Sequence, residues 1–132
     1  MKVKELMSKD VVTITKGSLI TDAANMMKKK DISCLVVTCG ETIEGIVTER
    51  DVMRKIIASQ KMLHQIEVRD IMSSPVATID EDADIFDALD MLRKKHIRRV
   101  VAVNKNKKMA GIITQSDFMK LIQKKSMIMI PP

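Results

Sequence analysis

The chain has 132 residues, 45% of them hydrophobic, with 23 basic against 17 acidic side chains and a net charge of +6, which suits one compact module with a real core. With no Trp, no Tyr and only Phe86 and Phe118, it lacks the platforms on which single-stranded nucleic acid stacks. Two cysteines, Cys34 and Cys39, make no disulfide framework, and His64 and His96 are not spaced to complete a metal site.

Taken in chain order, residues 11–14 alternate and are β-branched, which predicts a short strand. Residues 19–30 follow as a helix with Leu19, Ile20, Ala23, Ala24 and Met27 on one face and Ser18 as candidate N-cap. Its end, Lys28-Lys29-Lys30, lies where the helix dipole favours cations. A continuously apolar strand at 34–38, a polar turn at 39–41 and a strand at 43–48 come next. A helix over 49–59 closes the half, with Val52, Met53, Ile56 and Ile57 as its apolar stripe. After a polar connector the order returns: strand 76–79, helix 84–95 with Asp82 as candidate N-cap, strands 100–103 and 109–114, helix 115–124. Residues 126–132 form an apolar tail ending in two prolines, expected to pack on the body or on a second subunit.

The recurrence is a duplication. Residues 3–41 align with residues 68–106 at a constant offset of 65, and fourteen of the 39 pairs are identical. One inserted residue then moves the offset to 66. The expected division is repeat one at 1–60, connector at 61–67, repeat two at 68–125 and tail at 126–132. Halves of about 60 residues are marginal alone, so a shared core is expected. Each half reads strand-helix-strand-strand-helix, an α/β (α+β) pattern. A seam between copies is a natural place for a ligand.

The sharpest repeated element is Gly45-Ile46-Val47-Thr48-Glu49-Arg50-Asp51, matched by Gly111-Ile112-Ile113-Thr114-Gln115-Ser116-Asp117. It sets a hydroxyl and a carboxylate at the start of a helix. Backbone N–H groups and the positive dipole end there can hold a phosphate, while a carboxylate can accept from a ribose diol. Thr-x-x-Asp is equally a capping box that only satisfies orphan helix donors. Both readings stand at this point.

Other stretches match in the same order. They are Val3-Lys4-Glu5-Leu6-Met7 with Val68-Arg69-Asp70-Ile71-Met72, and Ile32-Ser33-Cys34-Leu35-Val36-Val37 with Ile97-Arg98-Arg99-Val100-Val101-Ala102. Together with the two Gly-Ile-x-Thr-x-x-Asp segments, they make the chain resemble a tandem pair of cystathionine-β-synthase (CBS) domains, the Bateman module, over nearly its whole length. The resemblance implies two pseudo-symmetric repeats packed sheet to sheet as one compact module, with two related clefts. It also implies a free-standing, non-catalytic sensor of AMP, ADP, ATP or S-adenosylmethionine that needs no cofactor, and a disc-like homodimer.

Carried over by position, Asp51 and Asp117 would hold ribose hydroxyls, and Thr48 and Thr114 would contact ribose or phosphate. Thr13, Ile14, Thr78 and Ile79 would line the base pocket. Ile32, Ser33, Ile97 and Arg98 would flank base or sugar, and Arg98 and Arg99 would meet phosphates. Ser33-Cys34 cannot neutralise a phosphate as Arg98-Arg99 can, so unequal clefts are expected, the better one served by Asp117.

Three other functions compete. A ligand-free dimerisation or scaffold module would use the Thr-x-x-Asp boxes as caps only. Nucleic-acid binding through Lys28-Lys29-Lys30, Arg93-Lys94-Lys95, Arg98-Arg99 and Lys105-Asn106-Lys107-Lys108 would show steep salt dependence, but aromatics are scarce and a recognition motif is missing. Enzymatic activity finds no nucleophile–base pair, metal cluster or Walker-type loop. With neither a signal peptide nor a membrane span in the sequence, a cytoplasmic protein without membrane contact is expected. Its signal would pass to an effector protein in trans.

Overall fold

A computed structural model describes residues 1–129, with side chains to residue 124. The packing expected of the tail at 126–132 lies outside the described side chains. Each half builds one three-stranded sheet. In the first, β1 (Thr13–Thr15) runs parallel to β2 (Cys34–Cys39), which pairs antiparallel with β3 (Thr42–Thr48), in the order β1-β2-β3. In the second, β4 (Thr78–Asp80), β5 (Arg99–Val103) and β6 (Met109–Thr114) repeat that topology. Helix α2 (Ile20–Lys30) crosses from β1 to β2, and α5 (Ile85–Lys94) from β4 to β5, as parallel neighbours require. Helices α3 (Glu49–Ser59) and α6 (Gln115–Met129) follow β3 and β6 without a loop.

The outer strands start later than the sequence predicts, at Thr13 and Thr78, because pairing with Val36 and Val101 begins there. Two short helices and a turn escaped the sequence reading: α1 (Val3–Leu6), α4 (Val68–Ile71) and the 3₁₀ turn Leu63–Gln65. Four residues are too few for hydrophobic periodicity to register.

These short helices decide how the chain divides. One compact unit comprises residues 1–10 with 77–132, and the other residues 11–76. Each unit therefore takes its leading segment from the opposite sequence repeat. In the 11–76 unit, Val68 and Ile71 of α4 are buried with Ile20, Ala23, Met27, Leu35, Val37 and Val47. In the other, Val3 and Met7 are buried with Ile85, Ala88, Leu92, Val100, Ile113 and Phe118. The expected shared core is thus found as two clusters, each drawing on both repeats.

The exchange is symmetric down to single hydrogen bonds. Ile20 N–H donates to Ile66 C=O at 2.9 Å and Ile85 N–H to Met1 C=O at 3.0 Å. Ser73 makes a two-way bridge with Ile46, and Ser8 one with Ile112. These bridges explain the glycine of the repeated motif. A Cβ on Gly111 would stand 2.7 Å from Ser8 O, and one on Gly45 2.8 Å from Ser73 O.

Two helix starts correct the expected caps. The N-cap of α2 is Leu19, with no side-chain bond. The backbone of Ile66 already takes the first helical N–H, and Ser18 Oγ bonds Thr15 Oγ1 at 2.7 Å instead. At α5 the cap is Asp84, accepting from Phe86 N–H at 2.8 Å, while Asp82 faces Lys4 at 3.0 Å. Among the described residues no helix is long and apolar enough to cross a membrane.

Candidate functional site

The repeated motif lands on a strand-to-helix junction in each unit. Thr48 ends β3 in extended conformation and is at once the N-cap of α3; Thr114 ends β6 immediately before α6. Both capping boxes form. Thr48 Oγ1 accepts from Asp51 N–H at 3.1 Å, and Asp51 Oδ2 accepts from Thr48 N–H at 3.1 Å. The corresponding distances at Thr114 and Asp117 are 3.2 and 2.9 Å. Caps of this kind contribute about 1 kcal/mol each, so the structural role of the motif is met in full in both units.

The neighbouring chain is held to the same junctions. Ser33 C=O accepts from Glu49 N–H at 3.0 Å, and Arg98 C=O from Gln115 N–H at 2.9 Å. Cys34 pairs with Thr48, and Arg99 with Thr114. Upstream, Asp31 (φ 54°) and His96 (φ 53°) turn the chain out of α2 and α5 in the left-handed region. Ile32 and Ile97 N–H then bond back to Met27 and Leu92 C=O, both at 3.0 Å. His96 is thus a helix terminator, exposed to solvent, rather than a chemical group of the site.

Each unit therefore gathers its own share of the expected residues. Residues 32–33, Thr48 and Asp51 meet in one, and residues 97–99, Thr114 and Asp117 in the other. Thr13 and Thr78 are exposed on outer strands, each separated from the junction strand by the central strand of its sheet. Ile14 and Ile79 belong to the buried clusters, so those positions offer a ligand backbone rather than side chain. Arg98 is exposed and in no ion pair among the described residues, whereas Arg99 is half-buried and already engaged. Arg98 immediately precedes β5, which Arg99 opens.

Two residues absent from the sequence reading touch the site. Asp51 Oδ1 lies 3.5 Å from Lys55 Nζ and accepts from Ser73 Oγ at 3.3 Å. Lys55 was visible in the sequence as an i,i+4 partner of Asp51. Ser73 was not, because it arrives with the exchanged segment. Among the described residues no three His, Cys, Asp or Glu side chains cluster as metal ligands.

The CBS domain family profile matches residues 3–58 and 68–124. Among curated proteins the chain is 35% identical over 118 residues to the uncharacterized protein YlbB of Bacillus subtilis, covering 88% of this chain and 78% of that one. It is 33% identical over 123 residues to an uncharacterized protein of Methanopyrus kandleri, covering 92% of this chain and 62% of that protein. The chain thus spans about three fifths of the Methanopyrus relative. Among solved structures it superposes on the CBS domain pair of protein MJ0100, crystallised with 5′-methylthioadenosine and S-adenosyl-L-methionine, with a TM-score of 0.83 and 25% identity over 95% of this chain and 98% of that one.

Proposed function

The chain belongs to the CBS domain family, and on that premise we propose that it is a non-catalytic regulatory module that binds an adenosine compound at its strand-to-helix junctions. The tighter site is the one at the start of α6. The observation that carries this reading is the Asp117 carboxylate. It is fixed at a helix N-terminus by Thr114, accepts only one hydrogen bond among the described residues, and has the exposed Arg98 on the adjoining segment.

The roles follow from chemistry. A carboxylate with spare lone pairs accepts the two hydrogen bonds of a ribose diol. The α6 N-terminus and the Arg98 guanidinium favour phosphate oxygens. Thr78, the backbone of Ile79 and Ile97 supply the face for the base. AMP, ADP, ATP and S-adenosylmethionine are the candidate ligands, and the complex of protein MJ0100 with two adenosine compounds supports that class. Asp51, Thr48, Thr13, Ile14, Ile32 and Ser33 form the weaker counterpart, with no arginine at the Ser33 position. The module acts as a homodimer whose ligand-dependent state is read by an effector protein in trans. Only ligand that favours one state over the other can produce such a switch.

A second reading is favoured by the completeness of both capping boxes: a ligand-free scaffold in which Thr48, Asp51, Thr114 and Asp117 serve the helices alone. Thermal unfolding with AMP, ADP, ATP and S-adenosylmethionine separates the two. Ligand at one hundred times its dissociation constant adds about 2.7 kcal/mol of stability. With Asp117→Asn the part of that gain due to the tighter site is expected to be lost, leaving only what the weaker site adds, while the apo protein loses about 1 kcal/mol or less. An apo loss with no ligand-induced gain in the parent chain supports the scaffold.

A further inference from the structure

We propose that Lys55 is a built-in competitor at the Asp51 junction. Its ammonium occupies the carboxylate that a ribose diol would need, so adenosine ligand fills the Asp117 site first. This deepens, and rests on, the reading that these junctions bind a nucleoside.

The argument is one of capacity. A carboxylate has about four lone-pair positions. At Asp51 four donors approach them. Oδ2 accepts from Thr48 N–H and Thr48 Oγ1, both at 3.1 Å. Oδ1 accepts from Ser73 Oγ at 3.3 Å and faces Lys55 Nζ at 3.5 Å. At Asp117 one donor is present among the described residues, Thr114 N–H at 2.9 Å. The residue in the place of Lys55, by the 66-residue offset, is Leu121. Ser8, the counterpart of Ser73, makes the same backbone bridge but donates no side-chain bond to Asp117 among the described residues.

Lys55 is held in place and also able to leave. Its ammonium donates to Ile71 C=O, at the end of α4, at 2.9 Å. That carbonyl belongs to a helix end that needs a partner, so the exchanged segment holds the lysine over the aspartate. The side chain also lines a cavity of about 410 Å³ together with Arg54, Ser59 and Lys61, which gives it room to swing away. With 43% of the lysine side chain exposed, the ion pair is of the modest kind that solvent screens. It biases the site without sealing it.

The test is calorimetry of the full chain with AMP and, separately, with 5′-methylthioadenosine. The parent chain is expected to show one tight site and one weak site. Lys55→Leu, which copies Leu121, is expected to tighten the weak site about tenfold for both ligands and to leave the tight site unchanged. Asp51→Asn added to Lys55→Leu is expected to remove that gain. Should Lys55→Leu fail to fold through loss of the bond to Ile71, Ser73→Ala frees the same oxygen and should move the weak site in the same direction by less.

A weak site unchanged or weakened by these variants, with the tight site intact, overturns the competitor role. Weakening confined to AMP identifies Lys55 as a phosphate contact. Absence of binding at every site, in parent and variants alike, overturns the nucleoside reading and the competitor with it.

Discussion

The helices that begin at Glu49 and Gln115 open with the same Thr-x-x-Asp box, yet their aspartates stand in different conditions. Asp51 is ringed by Thr48, Ser73 and Lys55; Asp117 meets only Thr114 among the described residues. The box alone fixes a carboxylate at the helix start in both copies. What stands beside it differs, because a residue one turn further along the helix shares its face. Duplication left two copies of one scaffold, and a few positions separate their surroundings: Lys55 against Leu121, Ser33 against Arg98, and a Ser73 hydroxyl on Asp51 where Ser8 gives Asp117 none among the described residues.

The largest effect tests what the two units share. Gly45 and Gly111 both lie under an exchanged segment, where an added Cβ would meet Met72 Sδ at 2.7 Å or Met7 Sδ at 2.6 Å, and a backbone carbonyl as well. Sulfur can swing aside, but the carbonyls are fixed in two-way bridges. Gly45→Ala and Gly111→Ala are each expected to cost about 1–3 kcal/mol, read from chemical denaturation. A cost in one unit only would show that the exchanges are not equivalent.

That exchange marks where the sequence was legible and where it was not. Helix α3 keeps the bounds read from the sequence, 49–59, although Met53 and Ile57 of its expected stripe are exposed at 72% and 82%, and the Met109–Thr114 strand keeps its bounds as well. Both have strong periodicity or β-branching and a Thr cap that stops one element as it starts the next. The duplication also led to the family, because the matching stretches recur in order. The pairing of residues 1–10 with the second half was hidden. Repeats read along the chain suggest that each copy keeps its own leading segment, and nothing local encodes a bond such as Ile85 N–H to Met1 C=O. The caps failed for the same reason: the Ile66 carbonyl stands where a Ser18 side chain was expected to act. Asp31 and His96 adopt left-handed conformations usually given to Gly, so composition gave no warning of those helix ends.

The next effect sharpens the contrast between the two junctions. Arg98→Ala is expected to weaken AMP about tenfold at the Asp117 site, the value of one charge-assisted contact, and to leave 5′-methylthioadenosine unaffected. Ser33→Arg should strengthen AMP selectively at the Asp51 site. Calorimetry with both ligands reads each change, and equal effects on the two ligands would remove Arg98 from the phosphate role. Smaller still is the contrast between helix starts. Asp84→Ala should cost about 1 kcal/mol, because its carboxylate caps α5. Leu19→Asp should stabilise by somewhat less, since α2 has no side-chain cap and Leu19 is 38% exposed. Denaturation midpoints check both.

The smallest effect concerns how each exchanged segment is fastened. In one unit, Lys4 of α1 bonds Asp82 at 3.0 Å. That hydrogen bond, ahead of the charge attraction, holds the Asp82 carboxyl below its ordinary range and the Lys4 ammonium above its own. In the other unit the counterparts by offset are Arg69 and Gly17. No such link can form there, and Arg69 pairs with Glu67 at 3.3 Å instead. The sign of the pH dependence follows. A lowered carboxyl stabilises above its unfolded pKa, and that contribution is lost as pH falls through the folded value. A raised ammonium stabilises below its unfolded pKa, and its contribution is lost as pH rises through the folded value. Lys4→Met should therefore lower the unfolding midpoint slightly at neutral pH, and the difference should fade in acid and in strong alkali. Both groups are exposed, so added salt should also erase it. Arg69→Met tests the unit without the link. Its carboxylate partner sits two residues away on the same segment, so breaking that pair loosens nothing between segments, and a fall as large as that of Lys4→Met would mean that the titrating link is not what fastens α1.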